Sequence, residues 1–341
     1  MDKLIQIIES DAAEVVKKVD LSPLLGKRVL ITGASGLIGQ NLLASLKIFL
    51  GENASHTEVF AICQSRPTET LTKLMDYPGG KILIGDLTRE DFLKSLPEAD
   101  FIIHAAGYAQ PGRFLANPVK TLKLNTSATF ALVEKLRAGG KFLFISSSEI
   151  YSGLPNPPYL ESQTGSVSPE HPRACYIYGK LGGEAICNAY RLGGIAAKSA
   201  RVSLVYGPGA RPGDTRALYN FIDKALTEKE IKLIDRGLAN RSYCYVTDIA
   251  EMLWKVLLYG KEAVYNVGGR SQVTIFELAE KIGEYLGVPV AAPEAGQGLA
   301  GSPLDVSVDI SRLERELGKM DFVNLDEGLK RTIKWQKALN H

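Results

Sequence analysis

The chain predicts an α/β fold: a doubly wound parallel sheet with a smaller α/β lobe toward the C-terminus. Three features carry that expectation. Short apolar runs alternate with helical patterns through the first two thirds of the chain, the rhythm of βαβ units. A glycine-rich turn, Gly33-Ala34-Ser35-Gly36-Leu37-Ile38-Gly39, follows the first of those runs. From Tyr206 onward the texture changes to short elements separated by loops.

The elements follow in order. Residues 2–19 set Leu4, Ile7, Ile8, Ala12, Val15 and Val16 at helical spacing, an amphipathic helix packed ahead of the main fold. Residues 28–32 read as a buried parallel strand, apolar on both faces. The glycine turn then opens a helix running to about residue 49. Strands follow at 59–63, 81–84, 101–106, 141–145 and 197–202, with helical patterns at 88–96, 117–137 and 176–192. Beyond the loop at 207–214 the pattern gives helix 216–227, strand 231–234, helix 247–258, strand 263–267 and helix 274–286. Residues 291–305 are rich in Gly, Ala and Pro and read as a loop. The expected division is a helical extension at 1–26, a dinucleotide-binding domain at 27–205, and a substrate-binding lobe at 206–341. Some segments of that lobe return to the sheet.

Composition bounds the partners. The chain has 341 residues and is 45% hydrophobic, enough for a large core, and its 40 Lys+Arg nearly balance its 38 Asp+Glu. No basic stripe points to nucleic acid and no apolar span to a membrane. The four cysteines, Cys63, Cys175, Cys187 and Cys244, are widely spaced and form no CxxC pair. That spacing argues against a metal site and for a reducing, cytoplasmic compartment.

The glycine turn carries the cofactor expectation. Gly33 permits the tight turn off the strand, Gly36 lets backbone approach a pyrophosphate, and Gly39 lets helix pack on sheet. Ser35, Leu37 and Ile38 complete the cradle, with the helix N-terminus facing the phosphates. This is a Rossmann-type site for NAD or NADP. The second strand ends Cys63-Gln64-Ser65-Arg66, without the acid that usually holds the adenosine ribose. Ser65 or Arg66 would instead meet a 2′-phosphate, which favours NADP; the alternative for Arg66 is a solvated loop arginine. Asp86 and Leu87, after the third strand, are placed to contact adenine, unless Asp86 only caps the helix that follows.

Tyr176 and Lys180 stand four residues apart and share one helix face. A tyrosine hydroxyl beside an ammonium and a cationic nicotinamide is favoured as phenolate, so Tyr176 is the candidate proton acceptor for carbinol oxidation. Lys180 would also hold the nicotinamide ribose. Tyr178 competes but has no lysine four residues on. The strand at 141–145 runs into Ser146-Ser147-Ser148-Glu149, at the carboxyl edge of the sheet where ligands bind. Ser147 would hydrogen-bond the reacting oxygen, and Glu149 would act as a base or hold a water.

Together these motifs resemble the extended short-chain dehydrogenase/reductase superfamily, in its NAD-dependent epimerase/dehydratase branch. The resemblance also rests on His104-Ala105-Ala106-Gly107, Val205-Tyr206-Gly207-Pro208-Gly209, Asn220-Phe221-Ile222, Tyr265-Asn266-Val267-Gly268 and Glu327-Gly328-Leu329-Lys330-Arg331-Thr332-Ile333. It implies a nucleoside-diphosphate sugar as substrate, Ala105, Ala106 and Gly107 along the cofactor, and Asn220, Arg211 and Arg241 facing the diphosphate or its ribose. It also implies a homodimer through the helices at 117–137 and 176–192. Ser148 stands where the branch's dehydratases carry an aspartate acid, which counts against 4,6-dehydration. Pro172-Arg173-Ala174-Cys175-Tyr176 is most similar to UDP-glucuronate decarboxylases, which place Arg173 near the sugar carboxylate. The implied chemistry is oxidation at sugar carbon 4 followed by loss of CO2. Alternatives are a 4-epimerase, a 4-dehydrogenase or reductase, and, from another class, a non-catalytic nucleotide-binding sensor.

Overall fold

The computed structural model describes residues 2–51, 56–294, 305–319 and 321–339. The chain runs α1 (Asp2–Lys18), β1 (Arg28–Thr32), α2 (Leu37–Leu50), β2 (Glu58–Cys63), α3 (Glu69–Leu74), β3 (Gly80–Ile84) and α4 (Glu90–Ser95). It continues β4 (Ala99–His104), α5 (Pro111–Ala116), α6 (Pro118–Asn125), α7 (Ser127–Val133), β5 (Leu136–Ser147), α8 (Ala174–Leu192) and β6 (Ala196–Val202). The remainder is β7 (Leu204–Tyr206), α9 (Ala217–Thr227), β8 (Ile231–Lys232), β9 (Asn240–Tyr245), α10 (Val246–Tyr259), β10 (Val264–Val267) and β11 (Ser271–Thr274). It closes with α11 (Ile275–Leu286), β12 (Val290–Ala291), β13 (Asp305–Val306), α12 (Ser311–Leu317) and α13 (Leu325–Leu339).

Seven strands form one parallel sheet in the order β10-β6-β5-β4-β1-β2-β3. The order reverses at β1, between β4 and β2, which is where a doubly wound sheet opens a ligand crevice. The register aligns the carboxyl ends that line it: Thr32 pairs with Ile62 and with His104, His104 with Phe144, and Ser147 with Val202. The central strands are apolar on both faces because helices cover both. Val29, Ile31, Ile103 and Leu143 pack with Leu42, Leu46, Met252 and Trp254 in one core. Leu30, Ile102, Phe142 and Phe144 pack with Leu124, Leu132 and Cys187 in another. A smaller sheet pairs β9 with β7, β11 and β13, and β8 pairs with β12. No helix of the described residues is long and apolar enough to cross a membrane.

Several expectations need correction. The pattern at 117–137 is not one helix. It breaks at Thr126 between α6 and α7, and Leu136 already pairs with Ala99 as the start of β5. The apolar Val133 and Leu136 extend the helical spacing by coincidence. β4 ends at His104, so Ala105 and Ala106 belong to the connection, and the strand expected at 231–234 shortens to β8. Most of the expected loop at 291–305 lies outside the described residues.

The N-terminal helix is integral to the core. Leu4, Ile5, Ile8 and Ala12 pack against Ala44, Leu74 and Trp335. Arg331 and Tyr245 bond the Asp11 carboxylate at 2.9 and 2.5 Å. Burial pushes that carboxyl up to about 6 despite both donors. Trp335 also donates to the carbonyl of Ala210 at 3.2 Å. Replacing Trp335 with alanine removes the ring that joins α1, α2 and α13, with an expected cost of about 3–5 kcal/mol. Urea denaturation checks this; a loss below about 1 kcal/mol would show that the α1 docking is peripheral.

Candidate active site

The glycine turn is shaped by backbone approach. Gly33 has φ +67°, and a Cβ there would lie 2.6 Å from the carbonyl oxygen of Ala105; one on Gly39 would lie 2.4 Å from that of Gly33. Neither position admits a side chain. Gly36 caps α2 with no side-chain hydrogen bond, so the first amides of the helix remain available to an anion. The residues present therefore fit a dinucleotide pyrophosphate: a cradle without side chains at the positive end of a 14-residue helix.

A hydrogen-bond relay fixes the facing wall. Burial lowers the His104 pKa to about 4, so the ring is neutral. Its Nε2 lies 2.8 Å from the Leu124 carbonyl and its Nδ1 2.7 Å from Thr32 Oγ1. The carbonyl can only accept, which puts the proton on Nε2 and makes Nδ1 an acceptor. Thr32 then donates to His104 and accepts from the amide of Ala106 at 3.1 Å. Ala105, Ala106 and Gly107 are thereby held between the glycine turn and Lys180. A Cβ on Gly107 would stand 3.6 Å from Lys180 Nζ.

Tyr176 sits in the first turn of α8, buried, its ring stacked on Phe114 at 4.7 Å with 15° between planes. Lys180, one turn on, is also buried. Its Nζ donates to the Ile145 carbonyl at 2.7 Å and lies 5.7 Å from the Tyr176 ring centroid. Burial pushes Tyr176 up to about 12, against the pull of Ser147, Arg173 and Arg216, and Glu149 adds to the rise. Burial also pushes Lys180 down to about 7, Glu184 opposing. The phenolate expected from the sequence is therefore not the resting form of the free chain, because desolvation outweighs the nearby cations.

Ser147 ends β5, accepts from the Glu149 amide at 3.2 Å and bonds the Tyr176 hydroxyl. Arg173 pairs with Glu149 and lies over Phe114 at 5.6 Å. Burial raises the Glu149 pKa, with Arg173, Arg241 and His171 pulling it down. Two atoms of this pair, Glu149 Oε2 and Arg173 Nε, are buried without a hydrogen-bond partner. Arg241, on β9, is within electrostatic reach of both.

The other candidates scatter. Asp86 accepts from Lys120 at 2.6 Å, from the Thr88 amide and hydroxyl, and from Gln64 at 3.3 Å. Against partial burial, these hold it at about 2. Leu87 is buried beneath it, while Ser65 and Arg66 are exposed. Asn220 is half-buried on α9, one turn after Arg216. Arg211 does not stand with Arg241 but donates to the Ser35 carbonyl at 3.0 Å and to the Ser35 hydroxyl. Sequence reasoning missed Phe114 and Arg216. Arg216 pairs with Asp214 at 2.6 Å, stacks on Tyr219 at 5.0 Å and acts electrostatically on Tyr176. The nearest signal was the two-residue spacing of Asp214 and Arg216.

Residues 29–268 match the family model described as NAD dependent epimerase/dehydratase family. UDP-glucuronic acid decarboxylase 6 of Arabidopsis thaliana is 32% identical over 305 residues, covering 89% of this chain and 86% of the relative. The fold matches DesIV, a dTDP-glucose 4,6-dehydratase from Streptomyces venezuelae with NAD and TYD bound. There the TM-score is 0.79 and identity 24%, over 91% of this chain and 97% of that one. It also matches UDP-glucuronic acid 4-epimerase from Bacillus cereus, in complex with UDP-glucuronic acid and NAD, at TM-score 0.77 and 24% identity. That match covers 92% of this chain and 99% of that one.

Lys180 provides a test of the site's electrostatics. Its folded pKa lies below the unfolded one, so the buried charge costs stability fully below about pH 7, and the cost fades as pH rises toward the unfolded value. Lys180→Met should therefore raise the melting temperature most near about pH 6 and least near about pH 10. A gain independent of pH would mean that Lys180 is not carrying a buried charge.

Proposed function

Because the chain belongs to the NAD dependent epimerase/dehydratase family, we propose that it oxidises carbon 4 of a nucleotide sugar and decarboxylates a UDP-glucuronate-type substrate. The observation that carries the reading is the orphaned pair beside Tyr176. Arg173 Nε is a buried donor and Glu149 Oε2 a buried acceptor, neither with a partner. Buried polar groups are nearly always satisfied. A uronic sugar brings both complements, a carboxylate to accept from Arg173 and hydroxyls to donate to Glu149. The 32% identity to a UDP-glucuronic acid decarboxylase supports the same reading.

When bound, the nicotinamide supplies a reversible hydride acceptor at carbon 4. Tyr176 takes the proton of the carbon-4 hydroxyl, and Ser147 holds the same oxygen by hydrogen bond. Lys180, on the next turn, holds the nicotinamide ribose. The resulting 4-ketone makes the 5-carboxylate a β-keto acid. The carbon–carbon bond breaks, CO2 leaves, and the electron pair moves to the carbon-4 oxygen, where Tyr176 and Ser147 donate hydrogen bonds; a proton then adds at carbon 5, and with the hydride back on carbon 4 Tyr176 returns the hydroxyl proton, so that the net change is loss of CO2. Such a positioned acid/base supplies about 10²–10⁴-fold. Ser148, a hydroxyl rather than a carboxylic acid, is ill suited to expel the 6-hydroxyl in a dehydration. Arg241 and Asn220 are offered to the diphosphate or its ribose. For the cofactor we favour NADP, supported by the absence of a carboxylate at the end of β2.

A homodimer is proposed through α6 and α8, which pack together and leave Val119, Leu122, Tyr178 and Leu192 exposed. Light scattering should give twice the chain mass, and Val119→Asp should shift it to one; a wild-type monomer would refute the assignment.

Mass spectrometry after incubation with UDP-glucuronate should show a product lighter by one CO2. An isomer of unchanged mass would instead indicate epimerisation. Arg173→Ala should lower kcat/KM for UDP-glucuronate by about 10²-fold, the scale of a lost charged hydrogen bond. Oxidation of the neutral UDP-glucose should suffer far less; equal losses would remove the carboxylate role.

A further inference from the structure

We propose that Glu184 is a positioning residue: clamped by Arg201, it fixes the register of α8 on the carboxyl end of β5 and thereby seats Tyr176 and Lys180. The inference rests on the reading of those two as the carbinol-oxidising pair. Tyr176, Lys180 and Glu184 stand four apart on α8 and form one buried face. Three consecutive residues of β5 meet that face. Ser147 bonds the Tyr176 hydroxyl, the Ile145 carbonyl accepts from Lys180 Nζ at 2.7 Å, and Ser146 Oγ donates to Glu184 Oε1 at 2.5 Å.

The first two contacts are ones that the chemistry disturbs, since Tyr176 must also bond the sugar oxygen and Lys180 the nicotinamide ribose. The third is held from outside the reaction. Arg201, on β6, grips the Glu184 carboxylate through Nε at 3.0 and 3.2 Å and through Nη2 at 2.8 Å. Its Nη1 donates to the Tyr151 hydroxyl at 2.8 Å and to the carbonyls of Glu161 and Gln163 at 2.9 and 3.1 Å. Tyr151 in turn donates to Asn266 of β10 at 2.7 Å and closes the turn Ser148–Tyr151, which carries Glu149. One guanidinium thus joins α8, β6, β10 and the segment that presents Glu149.

Stability alone explains this clamp poorly. Removing two charges from water roughly offsets their attraction, and an apolar pair of similar volume often serves a fold as well. An apolar pair, however, gives no direction. The rigid guanidinium fork, ringed by both Glu184 oxygens, a hydroxyl and two carbonyls, fixes one placement of α8. A misplacement of about 1 Å at the reacting atoms costs about 10²-fold in rate, so register matters more to catalysis than to folding. The Glu184 charge also opposes the burial that lowers Lys180.

Kinetics and melting together test this. Glu184→Gln and the paired replacement Glu184→Met/Arg201→Met should keep the wild-type circular dichroism, leave KM for UDP-glucuronate little changed and lower kcat by about 10- to 100-fold. With Tyr176 and Lys180 out of register, hydride return to carbon 4 falters, so some turnovers should release the reduced nicotinamide cofactor with a 4-keto pentose nucleotide. Full kcat in a folded Glu184→Gln variant, or a loss carried entirely by KM, would overturn the proposal. Should both variants unfold, Arg201→Lys and Tyr151→Phe, which loosen the clamp without leaving a lone buried charge, carry the same comparison. The second measurement needs no substrate. Near about pH 6, Lys180→Met should raise the melting temperature more in the Glu184→Gln background than in wild type, because the ammonium there lacks its counter-charge. Equal gains would overturn the seating of Lys180. If wild type turns over no nucleotide sugar, the catalytic reading falls by itself, and the melting comparison still decides whether Glu184 seats Lys180.

Discussion

The exit of β1 passes the exit of β4 too closely for any side chain to stand between them. A Cβ on Gly33 would meet the Ala105 carbonyl oxygen at 2.6 Å, so the two connections must touch through backbone alone. That contact needs support from beneath, because the amide of Ala106 has left the β4 ladder. Thr32 supplies the acceptor, and it can do so because neutral His104 takes its proton. A protonated His104 would donate from both nitrogens and compete with the Ala106 amide for the Thr32 oxygen. Deep burial, which holds His104 at about 4, therefore protects the direction of the relay. The glycine turn, the 105–107 segment and the seat of Lys180 are all registered to that one approach.

Burial also governs the ionisable groups of the crevice, and it drives Tyr176 and Lys180 apart. It favours the neutral form of every side chain, so Tyr176 rises to about 12 while Lys180 falls to about 7. A free chain with a neutral phenol is stable but a poor proton acceptor. The Tyr176 hydroxyl already has Ser147, Arg173 and Arg216 pulling it down, so a further positive charge brought into the crevice acts on a group partly prepared for it.

How legible this was follows the range of the interactions. The central strands β1, β2 and β4 were readable because each is a short apolar run buried on both faces, with no polar alternation; the edge strand β3 was readable as an apolar run although it is only partly covered. The glycine turn and the Tyr176/Lys180 pair were readable because their geometry is local. β7, β11 and β13 were not, since strands of two to four residues leave too little pattern. Arg211 and Ser35 meet across 176 positions; nothing local distinguishes Arg211 from a solvated loop arginine. The 117–137 segment misled because Val133 and Leu136 keep helical spacing into a strand. Local propensity there lost to the pairing of Leu136 with Ala99.

Phe114 shows what long-range packing adds to a site that sequence motifs only outline. Its ring is buried, stacks on Tyr176 at 4.7 Å and lies under the Arg173 guanidinium at 5.6 Å. One rigid plate from α5 thus spaces the Tyr176 hydroxyl from the Arg173 guanidinium. Tyr176 and Arg173 are three residues apart at the start of α8, and without the ring their side chains could swing independently about the helix end. Arg173 is restrained a second time by Glu149, whose other oxygen stays open. A guanidinium held by stacking on one side and by a carboxylate on another has little rotamer entropy left to lose to any further hydrogen bond. Lysine at the same position would keep the charge but forfeit both restraints.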